Sequence, residues 1–285
     1  MTPVRVWIQG ARPRTLAAAV APVLVATALA RGQAIWDRAI LALIVSLSLQ
    51  IAVNYANDYS DGVRGTDSDR VGPIRLVASE LASARAVKRA AFISFLVGAI
   101  AGLALAALTS WWLVIIGAIS MLAAWAYTGG KNPYGYRGYG EISVFIFFGL
   151  VATMGSYYVQ TETITWESLI IAVPIGCLSG AILMINNIRD RVKDAVVGKH
   201  TLAVRLGDRG SRNFFFALLL IAHVTALLTL KPWALLTLGL LPITFRLGKS
   251  VHHGVDGFAL IPLLAKTGQL LLLFAGLLAT GLWLS

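Results

Sequence analysis

The sequence predicts an all-α membrane bundle of about nine transmembrane helices around a central cavity, and three observations carry that prediction. Of its 285 residues, 58% are hydrophobic and 13% charged, about half of the roughly 25% charged share of a soluble domain. The apolar residues gather into runs near the ~20 residues that a helix needs to cross a bilayer. Period-two alternation is absent, so the spanning elements are helices rather than barrel strands.

The first run, residues 15–31, follows a short interfacial segment holding Trp7. Arg5, Arg12 and Arg14, then the apolar run, then Ala28-Leu29-Ala30 imitate a secretory signal, but the run reads as an uncleaved first span. Further spans are expected at 38–58, 90–109, 111–128, 141–159, 167–187, 213–230, 232–247 and 265–284. Only 59–89 and 188–212 are long connections, so residues 1–285 read as one integral membrane domain with antiparallel neighbours. The second connection ends in a helix-like stretch from Ser79. The sixth carries a short amphipathic helix between Gly198 and Gly207, expected to lie across the bundle mouth.

The net charge of +11 is no nucleic-acid signature, because its distribution follows the positive-inside rule. With the N-terminus in the cytoplasm, 21 of the 24 Lys and Arg lie on the cytoplasmic side, leaving Arg31, Arg38 and Lys231 opposite. An odd number of spans then puts the C-terminus outside. The expected location is the inner (plasma) membrane, with the lipid bilayer as solvent. Cys177 is the one cysteine, so no intrachain disulfide forms, and it reads as a small core residue.

Two polar islands end the second and sixth spans. The first runs from Asn54 through Asn57, Asp58, Asp61 and Arg64 to Asp67; the second holds Asn186, Asn187, Arg189, Asp190, Asp194 and Lys199. Carboxylates beside hydrocarbon are costly and mark functional sites by default. Residues four apart share a helix face, so Asn57 and Asp61 form one column, Asp190 and Asp194 another. If the columns face each other they frame a cavity with oxygen ligands, which favour Mg²⁺ over softer metals. Replacing an acid there is expected to relieve charge crowding. Arg64, Arg70, Arg189, Lys199, Arg205, Lys131 and Arg137 surround the acids, and guanidinium groups with a metal suit a diphosphate.

A third polar stretch, Tyr127 to Glu141, holds Tyr134, Tyr136 and Tyr139 as well. It is denser in tyrosine than an interfacial belt requires. Tyrosine faces stabilise cations, and Glu141 is positioned to orient a basic residue or take a proton. His223 reads as interhelical glue, and His252 and His253 as solvated.

Asn57-Asp58-Tyr59-Ser60-Asp61 and Asp190-Arg191-Val192-Lys193-Asp194 resemble the paired motifs of the UbiA superfamily of intramembrane aromatic prenyltransferases. The likeness covers nearly the whole chain. Trp7 to Thr15, the run from Asp61 to Asp67 with Arg70-Val71-Gly72-Pro73, Pro133 to Glu141, and Asn186 to Arg205 are most similar to the branch acting on 1,4-dihydroxy-2-naphthoate. Asp67 stands farther from Asp61 than the superfamily pattern has it, and Arg191 and Lys193 make the second motif unusually basic.

The resemblance implies Mg²⁺ held by Asn57, Asp58, Asp61, Asp67, Asn187, Asp190 and Asp194. It implies a polyprenyl diphosphate donor and transfer to the ring carbon bearing the carboxylate, with loss of CO₂ and diphosphate to give demethylmenaquinol. Asp61, Asp190, Arg137, Lys199 and Glu141 are the catalytic candidates. Arg12, Arg14, Arg64, Arg70, Lys131, Tyr127, Tyr134, Arg189 and Arg205 are the substrate-binding ones, with Arg12 and Arg14 assigned to the acceptor carboxylate. The alternatives are another acceptor, such as 4-hydroxybenzoate, homogentisate or a chlorophyll-type ring, or a cation-coupled transporter. A transporter predicts acids at mid-bilayer and broken helices, whereas these acids cluster at one surface.

Overall fold

Helix α8 (Trp166–Val196) opens with a capping box in which the Thr165 and Ser168 side chains each accept the other's backbone N–H. From Ile171 to Ile188 nearly all its faces are apolar or small and buried, as a helix at the centre of a bundle requires. The computed structural model describes residues 2–66 and 74–285. Around α8 stand α2 (Ala17–Ala30), α9 (Leu202–Leu227) and α11 (Leu260–Leu284). Val25, Phe215, Leu219, Leu271 and Phe274 join α8 side chains in the largest core cluster.

The first element, α1 (Val4–Ala11), buries Val6 and Gly10 and exposes Val4 and Ile8, the pattern of a helix lying in the interface. A 3₁₀ turn over Pro13–Thr15 joins it to α2, and the two segments meet at 54°. The bend starts at Arg12, whose left-handed backbone (φ 53°) ends α1. Gly10 is required where α1 crosses the bundle, since a Cβ there would sit 2.6 Å from Leu76.

Among the described residues, seven helical segments are long and apolar enough to cross a membrane: 36–64 (α3), 84–108 (α4), 140–161, 166–196, 202–227, 232–252 and 257–284. The bent α1–α2 pair makes an eighth. The run expected at 111–128 is α5 (Trp112–Ala126), 15 residues or ~22 Å, shorter than a ~30 Å hydrocarbon core. It nevertheless carries the chain from the Leu108 end, where Arg38 donates to the Leu108 carbonyl, back to Thr128 beside Asn57, so it counts as a crossing and keeps the number of crossings odd. Residues 232–252 begin as a 3₁₀ helix over Pro232–Leu240 and continue as α10 (Leu241–His252). Of the helix-like stretch expected from Ser79 to Arg89, the first five residues are not helical and the rest, from Ala84, is the first part of α4, with the Ser83 hydroxyl accepting the Ala86 N–H as its cap.

Two departures from regular helix matter for the cavity. Between α6 (Gly140–Val144) and α7 (Ala152–Thr161), residues Phe145–Val151 form π-helical turns, a feature frequent at functional sites. They press against α8 where Gly149 meets Gly176: a Cβ on Gly149 would lie 2.5 Å from the Gly176 Cα. The second departure is Gly207 (φ 70°), which breaks Leu202–Leu206 from the rest of α9 and so produces the short helix expected between Gly198 and Gly207.

At the end opposite the acidic islands, Arg31 donates to the Leu282 carbonyl and Arg38 pairs with Glu162. Lys231 pairs with Glu167. The three cations outside the main basic belt thus hold helix ends together.

Candidate active site

The acidic ends of α3 (Trp36–Arg64) and α8 line one cavity of about 290 Å³. Asn57 and Asp61 come from α3, and Asn186, Asn187, Asp190 and Asp194 from α8, so the 3.6-residue period turns both columns inward as the spacing required. Lys199, Arg75 and Tyr136 complete the polar wall. Asp61 is buried at 4% exposure. Its carboxylate accepts from the Tyr136 hydroxyl at 2.5 Å and lies 3.2 Å from Lys199 Nζ and 3.6 Å from Arg75. Lys199 also stands 4.5 Å above the Tyr136 ring. Burial and the neighbouring Asp61 raise the Tyr136 pKa, so its phenol remains a donor at neutral pH. Removing Asp61 would therefore leave Lys199 and Arg75 buried without it, the reverse of relieved crowding.

Several assignments change. Asp58 is not directed at the cavity: its oxygens accept the backbone N–H groups of Leu76 (2.8 Å) and Val77 (3.0 Å), clamping the returning loop onto α3. Glu141 stands behind the α8 column and accepts the Asn187 Nδ2 at 2.8 Å. It orients an amide rather than a base, and the amide oxygen is left for the cavity. Arg189 closes a two-point pair with its neighbour Asp190. Arg137 and Lys131 are exposed and outside the cavity lining. Arg205 is exposed and caps the His200 carbonyl. Arg64 donates to the Thr128 and Gly130 carbonyls and lies over the Tyr136 ring, so it fixes the fourth loop. Asp67 and Arg70 lie outside the described residues.

Arg75 and Thr128 were not among the sequence candidates, and Tyr136 was one of four tyrosines that the sequence did not distinguish. Thr128 donates to Asn57 Oδ1 at 2.7 Å. The sixth loop is seated on the fourth by the His200 N–H on the Tyr136 carbonyl, 2.8 Å, which delivers Lys199 to Asp61.

A second cavity, also about 290 Å³, shares Arg12, Asn57, Tyr127, Leu183 and Asn186 with the first. It is lined mostly by apolar side chains and reaches Ala42 on α3. Counting along α3 from Asp61 to Ala42, the two cavities together extend ~28 Å, at 1.5 Å per residue. Arg12 sits at their junction with a buried Nη2 that has no hydrogen-bond partner among the described residues. Arg14 is exposed and lines neither cavity. Tyr127 also lines both, with Tyr134 packed edge-on to it at 5.6 Å.

The donor set on the polar cavity is oxygen only. Among the described residues no three carboxylate, His or Cys side chains converge as an all-protein metal cage. Such a set fits Mg²⁺, which is held by one or two carboxylates together with substrate phosphates.

The UbiA prenyltransferase family model matches residues 19–256. The chain belongs to this family. It is 49% identical over 273 residues to the 1,4-dihydroxy-2-naphthoate octaprenyltransferase of Mycobacterium tuberculosis, covering 94% of both chains. It is 39% identical to the Escherichia coli enzyme of the same name, covering 98% of this chain and 95% of that one. Among solved structures, a UbiA homolog from Archaeoglobus fulgidus bound to DMAPP and Mg²⁺ superposes with a TM-score of 0.67 at 14% identity, covering 97% of this chain and 98% of that one. The apo UbiA homolog from Aeropyrum pernix K1 gives 0.70 at 13% identity, covering 94% and 96%. These two likenesses establish a multi-span helical membrane fold.

Proposed function

We propose that the protein transfers a polyprenyl group from its diphosphate to 1,4-dihydroxy-2-naphthoate, releasing CO₂ and diphosphate and giving demethylmenaquinol. The observation that carries the reading is the joined cavity, with acids and cations at one end and a long apolar extension. It suits a charged head and an isoprenoid tail. The names of the full-length bacterial relatives support the naphthoate acceptor over other rings. The basic belt supports placing the N-terminus and the acidic end of the cavity in the cytoplasm, with the C-terminus outside.

Bound Mg²⁺ would neutralise the diphosphate and stabilise it as a leaving group; Asn57, Asp61, Asn187, Asp190 and Asp194 are the residues that would hold it. Lys199 and Arg75 face the same head group and stabilise its growing charge as the allylic C–O bond breaks. The bonding pair leaves with the diphosphate. The ring carbon bearing the carboxylate then forms the new C–C bond, and CO₂ departs leaving its electron pair to the ring. No proton leaves that carbon, so no general base is needed, consistent with Glu141 standing off the cavity. Tyr127, at the junction, presents an aromatic face to the allylic cation. We assign Arg12 to the acceptor carboxylate, and its buried Nη2, without a hydrogen-bond partner among the described residues, supports that role.

The test is turnover of purified protein with polyprenyl diphosphate and carboxyl-labelled naphthoate. Equal release of labelled CO₂, diphosphate and prenylated product, abolished by chelation and restored by Mg²⁺, is expected. Prenylated product that retains the label would overturn the decarboxylative reading.

A further inference from the structure

Next to the junction, the apolar cavity has chemically different walls. One, from α5, the end of α6 and the π-helical turns, offers Ile116, Val144 and Phe147. The other, from the turn before α2 and the inner half of α3, offers Thr15, Gln50 and Asn54. Asn54 and Gln50 are buried at 3% and 7% exposure, at a depth where polar groups are costly unless satisfied or used. We propose that this polar wall is the acceptor subsite and that Gln50 Oε1 reads the hydroxyl farther from the acceptor's carboxylate. The proposal deepens the naphthoate reading and rests on it.

The hydrogen bonds of the wall leave one acceptor unassigned. Asn54 uses both amide hydrogens, on the Ala11 carbonyl (2.8 Å) and Thr15 Oγ1 (3.2 Å). Thr15 donates to the Arg12 carbonyl at 3.0 Å. Gln50 Nε2 donates to Thr15 Oγ1 (3.1 Å) and Asn54 Oδ1 (3.3 Å). With its nitrogen committed to both neighbours, the Gln50 amide is fixed in orientation, and its Oε1 accepts no hydrogen bond from any described residue. A phenolic hydroxyl supplies the missing donor.

The same chain of bonds ties the subsite to Arg12, since Thr15 bridges the Arg12 carbonyl and the Gln50 amide. A ring carrying a carboxylate and a hydroxyl meta to it is therefore matched at two points, carboxylate on Arg12 and hydroxyl on Gln50. Its remaining face is turned toward the apolar wall, where the allylic end of the tail would lie. A site built around a substrate hydroxyl discriminates strongly against the analogue that lacks it, because the site's own polar group is then left unpaired.

The experiment measures dissociation constants for 1,4-dihydroxy-2-naphthoate and 1-hydroxy-2-naphthoate, by quenching of their fluorescence, in wild type and in Gln50→Leu. The KM for the donor and the unfolding midpoint are measured on the same preparations. Because both ligands are compared in both proteins, differences in ring electronics cancel. Wild type should bind the dihydroxy ligand about tenfold more tightly. Gln50→Leu should bring the ratio close to one with the donor KM unchanged. Gln50→Asn, which keeps the amide but withdraws it by one methylene, should also lose the discrimination. If wild type turns over the naphthoate and Gln50→Leu keeps the tenfold preference, the subsite is wrong while the reaction stands. An equal loss for both ligands and the donor would make the wall a purely structural tie. Absence of naphthoate binding to wild type would overturn both readings.

Discussion

Replacing Asp61 with Ala tests the head-group site and separates two consequences that the acid motif alone merges. The carboxylate is buried and faces Lys199 at 3.2 Å and Arg75 at 3.6 Å, both 7% exposed. Deleting one partner of a buried ion pair typically costs ~3–5 kcal/mol, because the other charge is left behind. With two cations sharing Asp61, the unfolding midpoint in detergent should fall well below that of wild type. Inorganic diphosphate, which supplies negative charge to Lys199 and Arg75, should recover more of that midpoint in the variant than it adds to wild type. Turnover should stay depressed by ~10²-fold or more even with diphosphate-stabilised protein, the scale of losing one preorganised electrostatic contact. Mg²⁺-dependent CO₂ release within about threefold of wild type would refute the reasoning. So would an unchanged midpoint, because then the two cations would not depend on Asp61.

Asp58→Ala should lower stability by ~1–3 kcal/mol through two orphaned backbone N–H groups, while the Mg²⁺ concentration giving half-maximal turnover stays put; a large rise in that concentration would return Asp58 to the metal site. Arg12→Gln should raise the acceptor KM ~10-fold or more at an unchanged donor KM, as expected for losing a charge-assisted bond, whereas Arg14→Gln should change neither; steady-state kinetics in both substrates checks the pair. Tyr136→Phe should slow turnover without introducing or removing a limb of the pH–rate profile below pH 9, since the raised Tyr136 pKa keeps its phenol protonated there; a lost ionisation near neutrality would contradict that role.

Much of this was legible in the sequence because helices turn linear spacing into shared faces. Asn57 with Asp61, and Asp190 with Asp194, did arrive on one cavity. The fourth loop was harder. Tyr136 and Arg137 are neighbours in a 3₁₀ turn, one in the cavity wall and the other exposed, and nothing in their composition distinguishes them. Arg75 carried a weak signal, a lone cation in Ile74-Arg75-Leu76-Val77. Its return to Asp61 depends on the Asp58 clamp, a contact between distant positions. Arg12 and Arg14 looked equivalent, yet the left-handed turn at Arg12 places Arg12 at the cavity junction and leaves Arg14 exposed. The length of α5 was overestimated because the apolar run extends past the helix into Tyr127 and Thr128.

The most direct measurement is an experimental structure with a non-hydrolysable polyprenyl thiodiphosphate and Mg²⁺. The account predicts the diphosphate between Lys199 and Arg75, and metal density bridging it to Asp61 and the Asp190–Asp194 column. The tail should run past Asn57 and along α3 toward Ala42. A diphosphate bound away from Asp61, or a tail lying outside the apolar cavity, would contradict it.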